Sequence, residues 1–453
     1  MTLAFVDQLA PLVNEGPQWL GPIRRHALER YQANGIPTTK NEDWHYTNPA
    51  PIAQAGFVPM PAAASKIVAA DLTPFLVGHA EWPRLVFVNG RFAPHLSNTG
   101  ILGSAVRVMS LASALREEPT LLERHLGRLA DVDSPAQAFT ALNTAFLTDG
   151  ALVHVGNRAV RGENGAAAPE ENGAAAGDVL APIHLMFISD RAAAGGVCHP
   201  RVLVVMEPNT TATIIEQYLA IGGDNYFTNA VAEAYLGAGA TLHHFRLQRE
   251  APGAYHVGTV SVDQERDSHY VSFSFATGAA LSRTNIYTVL DGEGSGATLN
   301  GLYMLAGRQH CDHQTRIEHA KPNTFSREVY KGILDGTSHG VFNGKVYVRP
   351  EAQKTDGKQT NNTLLLSERA HIDTKPQLEI FADDVKCTHG ATVGRIDEAA
   401  LFYMKSRGIA DTEARRLLTY AFAAEVLETI PLEPLKDALE GLTLERYTGV
   451  SPE

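Results

Sequence analysis

TATIIEQYL, residues 211 to 219, is one of eight short β-type runs that follow one another between residues 179 and 395. Gly, Asn and Asp turns separate these runs, and no helical pattern of ten residues intervenes. The segments ATII, ATLH, SHYV and ATLN, which begin at Ala212, Ala240, Ser268 and Ala297, are spaced by 28, 28 and 29 residues. Stacked coils of a β-solenoid give a repeat of this length without helices. We therefore expect a mainly β protein with a solenoid core, and a β-sandwich is the alternative.

The first 150 residues predict a helix-rich α/β region. Apolar side chains recur every four residues from Trp19 to Tyr31, which is typical of one buried helical face. RLVFVNGRFAP, residues 84 to 94, predicts a β-hairpin, because Asn89-Gly90 supplies the positive φ angles of a type I′ turn. Helices and a hairpin thus precede the solenoid.

The whole chain divides into three regions by composition. We predict an N-terminal α/β domain over residues 1–150, a β-helix core over 151–395 and a C-terminal helical domain over 396–453. Within the core, residues 161–178 are rich in Ala, Gly, Glu and Asn without apolar periodicity, which predicts a flexible surface loop. The last region has three helical patterns, and the second carries an apolar stripe after Asp411. Such helices either pack back on the β body or form a docking face.

Composition excludes several classes of function. The net charge of −12 argues against a nucleic-acid binder, which needs a basic surface. There is no run of 18 apolar residues, so we expect no membrane span. The N-terminus lacks a basic region and a cleavage site, which argues against a signal peptide. The three cysteines, Cys198, Cys311 and Cys387, are scattered and odd in number. This predicts no disulfide framework and a reducing, cytoplasmic location.

DDVKCTHGATVGRID, residues 383 to 397, carries the pair of side chains best suited to a borderline-soft metal. On a strand, Cys387 and His389 stand at positions i and i+2, on one face and roughly 7 Å apart. A closed tetrahedral site needs four ligands, and this segment offers two. The pair is therefore either half a metal site, to be completed elsewhere in the chain or by a partner, or a buried cysteine beside a histidine that bonds to the backbone.

A second group of possible ligands lies in QHCDHQTRIEH, residues 309 to 319. In strand register, Cys311 and His313 share one face, whereas His310 and Asp312 share the other. This division argues against a single metal cluster formed by the segment alone.

Two other functions compete with a shared metal site. A cytoplasmic β-helix enzyme acting on carbohydrate would need paired carboxylates, but Asp383 and Asp384 are adjacent and would face opposite ways on a strand. A stand-alone metal-binding scaffold would use Cys311, His313 and Cys387. Neither a P-loop nor a Rossmann fingerprint occurs, and there is no nucleophile elbow. We expect no complete catalytic apparatus.

Residues 354 to 409 closely resemble the C-terminal core of the SufB/SufD family of iron–sulfur cluster assembly proteins. TNNTLLL, DTKPQLEI and DDVKCTHGATVG are long matches in the family's order. Upstream, GIPTTKNEDWHYT, LVFVNGRF and ALNTAFLTDGALVHV look like the N-terminal pattern of the SufD branch. The absence of a C-x-x-C pair also favours that branch over SufB. The resemblance covers nearly the whole chain, except residues 161–178.

This resemblance implies a right-handed parallel β-helix between an N-terminal domain and a C-terminal helical domain. It implies a SufB partner at the β-helix ends and a dimer of the ATPase SufC on the C-terminal helices. The SufBCD complex assembles clusters for transfer to acceptor proteins. Sulfur is delivered to SufB, and SufD is needed for the entry of iron. The chain would then be a non-catalytic scaffold, because SufC hydrolyses the ATP.

Within the family motif, the resemblance places His389 at the SufB–SufD interface, with Cys387 beside it. We therefore expect these two residues to hold iron or a nascent iron–sulfur cluster shared with SufB. Flavin binding by the complex, a homodimer formed without SufB, and the cluster type are left open by the sequence.

Overall fold

The computed structural model describes residues 3–61, 65–99, 102, 105–156 and 181–446. The predicted loop at 161–178 lies outside these ranges. The described chain forms ten α-helices and 22 β-strands. The helices are α1 (Phe5–Leu9), α2 (Leu20–Asn34), α3 (Ala50–Gln54), α4 (Ala69–Leu72), α5 (Leu111–Glu117), α6 (Pro119–His125), α7 (Ala138–Phe146), α8 (Glu398–Ser406), α9 (Asp411–Leu427) and α10 (Glu433–Arg446).

The strands form two sheets. Sheet I contains β2 (Arg84–Val88), β3 (Arg91–Phe92), β6 (Ile183–Asp190), β9 (Thr211–Ile221), β11 (Thr241–Arg249), β13 (His269–Ala276), β15 (Gly296–Leu305), β17 (Phe325–Leu334), β19 (Asp356–Leu365) and β22 (Lys386–Gly394). Sheet II contains β1 (Val58–Pro59), β4 (Val106–Ser110), β5 (Gly150–Val155), β7 (Gly196–Cys198), β8 (Arg201–Met206), β10 (Phe227–Leu236), β12 (Tyr255–Gln264), β14 (Leu281–Leu290), β16 (His310–His319), β18 (His339–Val348), β20 (His371–Thr374) and β21 (Gln377–Ile380).

From β8 onward the chain alternates between the sheets, and each strand pairs in parallel with the strand one coil earlier. This is the predicted β-solenoid, and the sandwich alternative is wrong. Strand register joins Thr211 to Thr241, Thr241 to His269, and His269 to Gly296, which are steps of 30, 28 and 27 residues. The recurrence read from the sequence was therefore real, but ATII and ATLH lie two positions out of register. Unequal strand length causes this difference, because β9 has 11 residues and β11 has 9.

The space between the two sheets is the main core. Its wall carries apolar side chains from every coil, such as Val204, Ile214, Leu299 and Phe342. Several polar groups also point inward: Glu216, for example, accepts hydrogen bonds from His244 and Arg246. Buried polar groups require such partners, so these interior networks fix particular side-chain positions.

The N-terminal helices cover the outer face of sheet II, except for α4, whose Leu72 packs on sheet I. Phe139 of α7 packs with Phe227 and Val257 from the sheet. Trp44 is buried and stacks on the Arg283 guanidinium, whose central carbon lies 3.9 Å from the ring centroid. The predicted hairpin is confirmed, because β2 and β3 pair antiparallel across a turn with positive φ at Asn89 and Gly90.

Two of the C-terminal helices, α9 and α10, pack on the solenoid. Residues Ala423 and Leu427 of α9 are buried against the outer face of sheet I, together with Leu439 of α10. The Lys331 Nζ atom donates to the Phe422 carbonyl oxygen at 2.9 Å, which ties α9 to β17. Of the two roles foreseen, packing back therefore applies to the inner faces of α9 and α10. In the described part of the chain, no helix has the length and hydropathy required to span a membrane.

Candidate functional site

The solenoid ends in an open strand edge. On sheet I, β22 pairs with β19 and with no further strand among the described residues. Its other edge therefore presents backbone N–H and C=O groups to solvent. Native proteins usually cover or blunt such an edge, because it can pair with a strand of another chain. On sheet II, the same last coil ends in β20 and β21, which both pair with β18.

The turn that precedes β22 is fastened to the turn of the coil before it. The Lys354 backbone N–H donates to the Asp384 carbonyl oxygen at 2.7 Å. In return, the Asp384 N–H donates to Gln353 Oε1 at 2.9 Å, and the Lys354 and Asp384 side chains form an ion pair. These contacts set where β22 begins and hence which of its residues point inward.

Cys387 and His389 lie on one face of this terminal strand. Their register partners on β19 are Gly357 and Gln359, both buried in the solenoid interior. Cys387 packs against Val346 of sheet II, and its Sγ atom lies 3.4 Å from the position that a Cβ atom on Gly357 would take. The two side chains therefore continue the interior face at the open end of the solenoid.

The two side chains differ in exposure. Cys387 is half-buried, and burial raises the pKa of its thiol above the ordinary value, although the Gly357 backbone acts in the other direction. His389 is exposed to solvent. Metal binding deprotonates such a thiol, since the thiolate is the ligand. Among the described residues, neither side chain belongs to a group of three close metal ligands. Two ligands are too few for a closed metal site.

One buried carboxyl group lies two coils from this edge. Glu328 on β17 is in register with Gln359, which is in register with His389. Gln359 Nε2 donates to Glu328 Oε2 at 2.6 Å. Burial raises the pKa of Glu328 to about 7. The folded protein thus retains a proton on Glu328 at a pH where the unfolded chain has lost it.

This pKa gives a testable pH dependence. The stability that depends on protonated Glu328 is present below the unfolded pKa near 4.5 and is lost as pH rises through about 7. Glu328→Gln keeps an uncharged acceptor for Gln359, so we expect it to stabilise the protein. The gain in free energy of unfolding should be larger at pH 8 than at pH 5 by about 2 kcal/mol. Urea unfolding at the two pH values measures it. Exposed Glu29→Gln is the control, and equal gains at both pH values would contradict the argument.

The other histidine-rich segment is divided as predicted. Cys311 and His313 face the interior with Sγ and Nε2 3.5 Å apart. Burial raises the pKa of Cys311 to about 12 and lowers that of His313 to about 4. Asp312 points outward, where it accepts from Thr47 Oγ1 at 2.5 Å and pairs with Arg283.

The structure does not support a closed site from Cys311, His313 and Cys387. The first two lie on β16 in the core of sheet II, whereas Cys387 lies on the terminal edge of sheet I. No three-ligand group within the described ranges contains any of them. The carboxylates of the carbohydrate-enzyme alternative, Asp383 and Asp384, lie in the bend before β22 and not on a strand as expected, and Asp384 is paired with Lys354 on the surface. The sequence placed these residues on strands, but it did not show which sheet and coil each strand belongs to.

The C-terminal end of the molecule also carries an apolar surface. Five of the eight exposed large hydrophobic side chains in the described chain lie there, namely Ile380, Phe381, Val393, Phe402 and Tyr403. Phe402 is 74% exposed, although it lies on the regular helix α8. Exposed apolar side chains on the last coil and the helix that follows it are typical of a protein interaction site.

Sequence reasoning missed one cluster of ligands. His339, His371 and Asp373 are the one group of three or more close His, Cys, Asp or Glu ligands within the described residues. They come from β18 and β20, one coil apart. A histidine at the first position of β16, β18 and β20 was the available signal, since His310, His339 and His371 are in register.

Comparison with known proteins gives matches over almost the whole chain. Residues 187–422 match the family described as SUF system FeS cluster assembly, SufBD core domain. Residues 4–163 match the family described as SufBD protein N-terminal region.

Individual relatives agree with these matches. The iron–sulfur cluster assembly SufBD family protein slr0076 of Synechocystis is 35% identical over 424 residues, which cover 92% of this chain and 88% of the relative. The iron–sulfur cluster assembly protein SufD of Escherichia coli is 34% identical over 440 residues, covering 94% and 93%. The SufD of Bacillus subtilis is 25% identical over 436 residues, covering 94% and 93%.

Proposed function

Because the chain belongs to the SufBD family of iron–sulfur cluster assembly proteins, we propose that it is a SufD-type scaffold subunit of a SufBCD complex. In this proposal, clusters form at its interface with SufB and pass to acceptor proteins in the cytoplasm. The observation that carries the proposal is the half-site of Cys387 and His389 on an open strand edge. A SufB strand beside β22 would supply the missing ligands.

The geometry suits a cluster that must be released. A thiolate and an imidazole from one strand are good ligands for iron and for cluster edges, but two ligands hold neither tightly. Completion across an interface makes binding depend on the complex and lets the site open when the subunits separate. His389 is exposed on the chain alone and so remains accessible to such a partner.

The C-terminal end also supports the proposed docking of the ATPase SufC. The sequence has no phosphate cradle of its own, so ATP hydrolysis is assigned to this partner. Because α9 and α10 use their inner faces to pack on sheet I, the exposed Phe402 and Tyr403 of α8 are the better candidates for contact. Deleting the whole helical region would uncover the sheet, so substitutions on α8 are the cleaner test.

Replacing both aromatic residues, Phe402→Ser and Tyr403→Ser, is expected to weaken SufC binding roughly thirtyfold, or about 2 kcal/mol. Both side chains are mostly exposed, so the melting temperature should not change. Titration calorimetry of the full chain with SufC measures the affinity. Tyr46→Ser removes an exposed aromatic residue from the N-terminal region and is the control. Equal affinity of the double variant and the wild type would contradict docking through α8.

The overall proposal is tested by anaerobic purification of the chain alone and co-expressed with SufB and SufC. Iron, acid-labile sulfide and the visible absorption spectrum are measured on both. We expect iron and sulfide in stoichiometric amounts in the complex, and little of either on the isolated chain. A chromophoric cluster retained by the isolated chain would mean that the site is closed within this protein, and the interface proposal would be wrong.

A further inference from the structure

Three histidines from successive coils form a row on the outer face of sheet II. Register places His310, His339 and His371 side by side at the start of β16, β18 and β20. The neighbouring residues Cys311 and Ile372 point into the core, so the histidines point outward. The rings of His339 and His371 are nearly parallel, with centroids 4.0 Å apart and planes 20° from each other.

A carboxylate completes this group at its exposed end. Asp373 follows His371 by two residues on the same strand and therefore shares its face. Its Oδ2 atom lies 2.8 Å from His339 Nε2. One ligand atom from each of these three residues lies within 4.8 Å of the other two. Two ligands on a first-row metal ion are roughly 3–3.5 Å apart, so side-chain rotation would bring all three to one ion.

The exposure of the three histidines to solvent increases from His310 to His371. His310 is covered by the N-terminal region, where its Nε2 atom lies 2.8 Å from Thr47 Oγ1. The His339 side chain is 21% exposed, and His371 is open to solvent. An ion could therefore reach His339, His371 and Asp373 from solvent.

Competing cations nearby are already neutralised. Lys375 pairs with Glu42 at 2.8 Å, and Lys345 pairs with Glu379 at 2.7 Å. Within the described chain, Asp373 has no lysine or arginine partner at salt-bridge distance. Its carboxylate is thus available to a bound cation, while His339 and His371 supply nitrogen ligands.

We propose that His339, His371 and Asp373 bind one divalent first-row transition-metal ion, either Fe²⁺ or Zn²⁺. Two imidazoles and one carboxylate, with the remaining positions open to water, are the ligand set of exchangeable ferrous sites and of open zinc sites. The site joins the last two coils on sheet II, whereas Cys387 and His389 lie on the last coil of sheet I. It does not depend on the proposed function, since it needs neither SufB nor a cluster.

The test uses the full untagged chain, freed of metal by a chelator and titrated anaerobically with Co²⁺, Zn²⁺ and Fe²⁺. Calorimetry and the visible bands of Co²⁺ report affinity and ligand type. We expect one saturable site in the wild type, and roughly a tenfold or greater loss of affinity in His371→Ala and in Asp373→Asn. The relative affinities for Fe²⁺ and Zn²⁺ identify the preferred ion. Both substituted residues are at the surface, and an unchanged melting temperature confirms folding.

Two controls make the outcome specific. His26→Ala removes the histidine of an exposed pair with Asp133, whose atoms are 3.0 Å apart, and should leave binding unchanged. The double variant Cys387→Ser and His389→Ala should keep the site, which separates it from the cluster half-site. The proposal is overturned if none of the three ions binds saturably. It is also overturned if His371→Ala and Asp373→Asn bind as tightly as the wild type.

Discussion

Arg201→Met is expected to lower the free energy of unfolding by about 3–5 kcal/mol, the largest loss from any single substitution considered for this chain. Arg201 on β8 and Glu233 on β10 are both fully buried, with Nη2 and Oε2 2.6 Å apart. Removing one partner of a buried ion pair leaves the other charge without compensation. The effect should be structural, because this pair lies far along the solenoid from β22.

The pair also connects the solenoid to the N-terminal region. Arg201 Nη1 donates to Asn143 Oδ1 and Thr144 Oγ1 on α7, at 3.0 and 3.1 Å. Glu233 accepts backbone hydrogen bonds from the loop after α6 at Gly127, Leu129 and Ala130. Burial alone would raise the pKa of Glu233, but Arg201 and these N–H groups outweigh it and hold the pKa below its ordinary value.

The direction in which a second substitution changes stability distinguishes this mechanism from simple loss of packing. Adding Glu233→Gln to Arg201→Met removes the uncompensated charge while keeping an acceptor for the loop N–H groups. The double variant should therefore be more stable than Arg201→Met alone. Urea unfolding of the single and double variants measures the difference. Arg266→Met, which breaks an exposed ion pair with Asp267, should change stability by less than about 0.5 kcal/mol. A double variant less stable than the single would contradict the buried-charge argument.

The local patterns were predictable because they depend on short distances along the chain. A strand period of two places Cys387 and His389 on one face whatever the coil length, and the Asn89-Gly90 turn depends only on its own φ angles. The apolar stripe of α9 was likewise visible. Its destination was not, because it depends on apolar residues such as Phe275 and Ile333 that sheet I presents from other coils.

The group of His339, His371 and Asp373 shows the opposite case. Its members are brought together by coil register, and successive coils differ in length by a few residues. A two-residue error, such as that between ATII and ATLH, moves every predicted cross-coil contact to a different neighbour. Sites that span coils therefore need the structure, whereas sites within one strand do not.

The second large effect concerns the half-site. His389→Ala is expected to reduce the iron and acid-labile sulfide of the purified complex roughly tenfold or more, because it removes one of the two ligands proposed for this chain. The side chain is exposed and has no hydrogen bond to the rest of the described chain, so stability should change by less than about 0.5 kcal/mol. Complex formation with SufB and SufC should persist, since the strand edge and the α8 surface remain.

Ligand loss and structural damage can be separated with three further variants. Thr388→Ala alters the opposite, outward face of the same strand and should leave cluster content unchanged. Cys387→Ser should lower cluster content, because a hydroxyl is a poor substitute for a thiolate toward iron and sulfide-bridged clusters. His389→Cys restores a metal ligand at the same position and should recover part of the lost iron, which a purely steric role for the imidazole would not allow.

The measurement is iron, sulfide and visible absorption of each co-expressed complex, with subunit stoichiometry determined on the same sample. Loss of cluster from an intact complex in His389→Ala, with partial recovery in His389→Cys, is the result that ligation requires. Full cluster content in His389→Ala would exclude the imidazole as a ligand. Because the strand edge would still be open, the interface could stand in that case while the metal half-site at β22 would have to be abandoned.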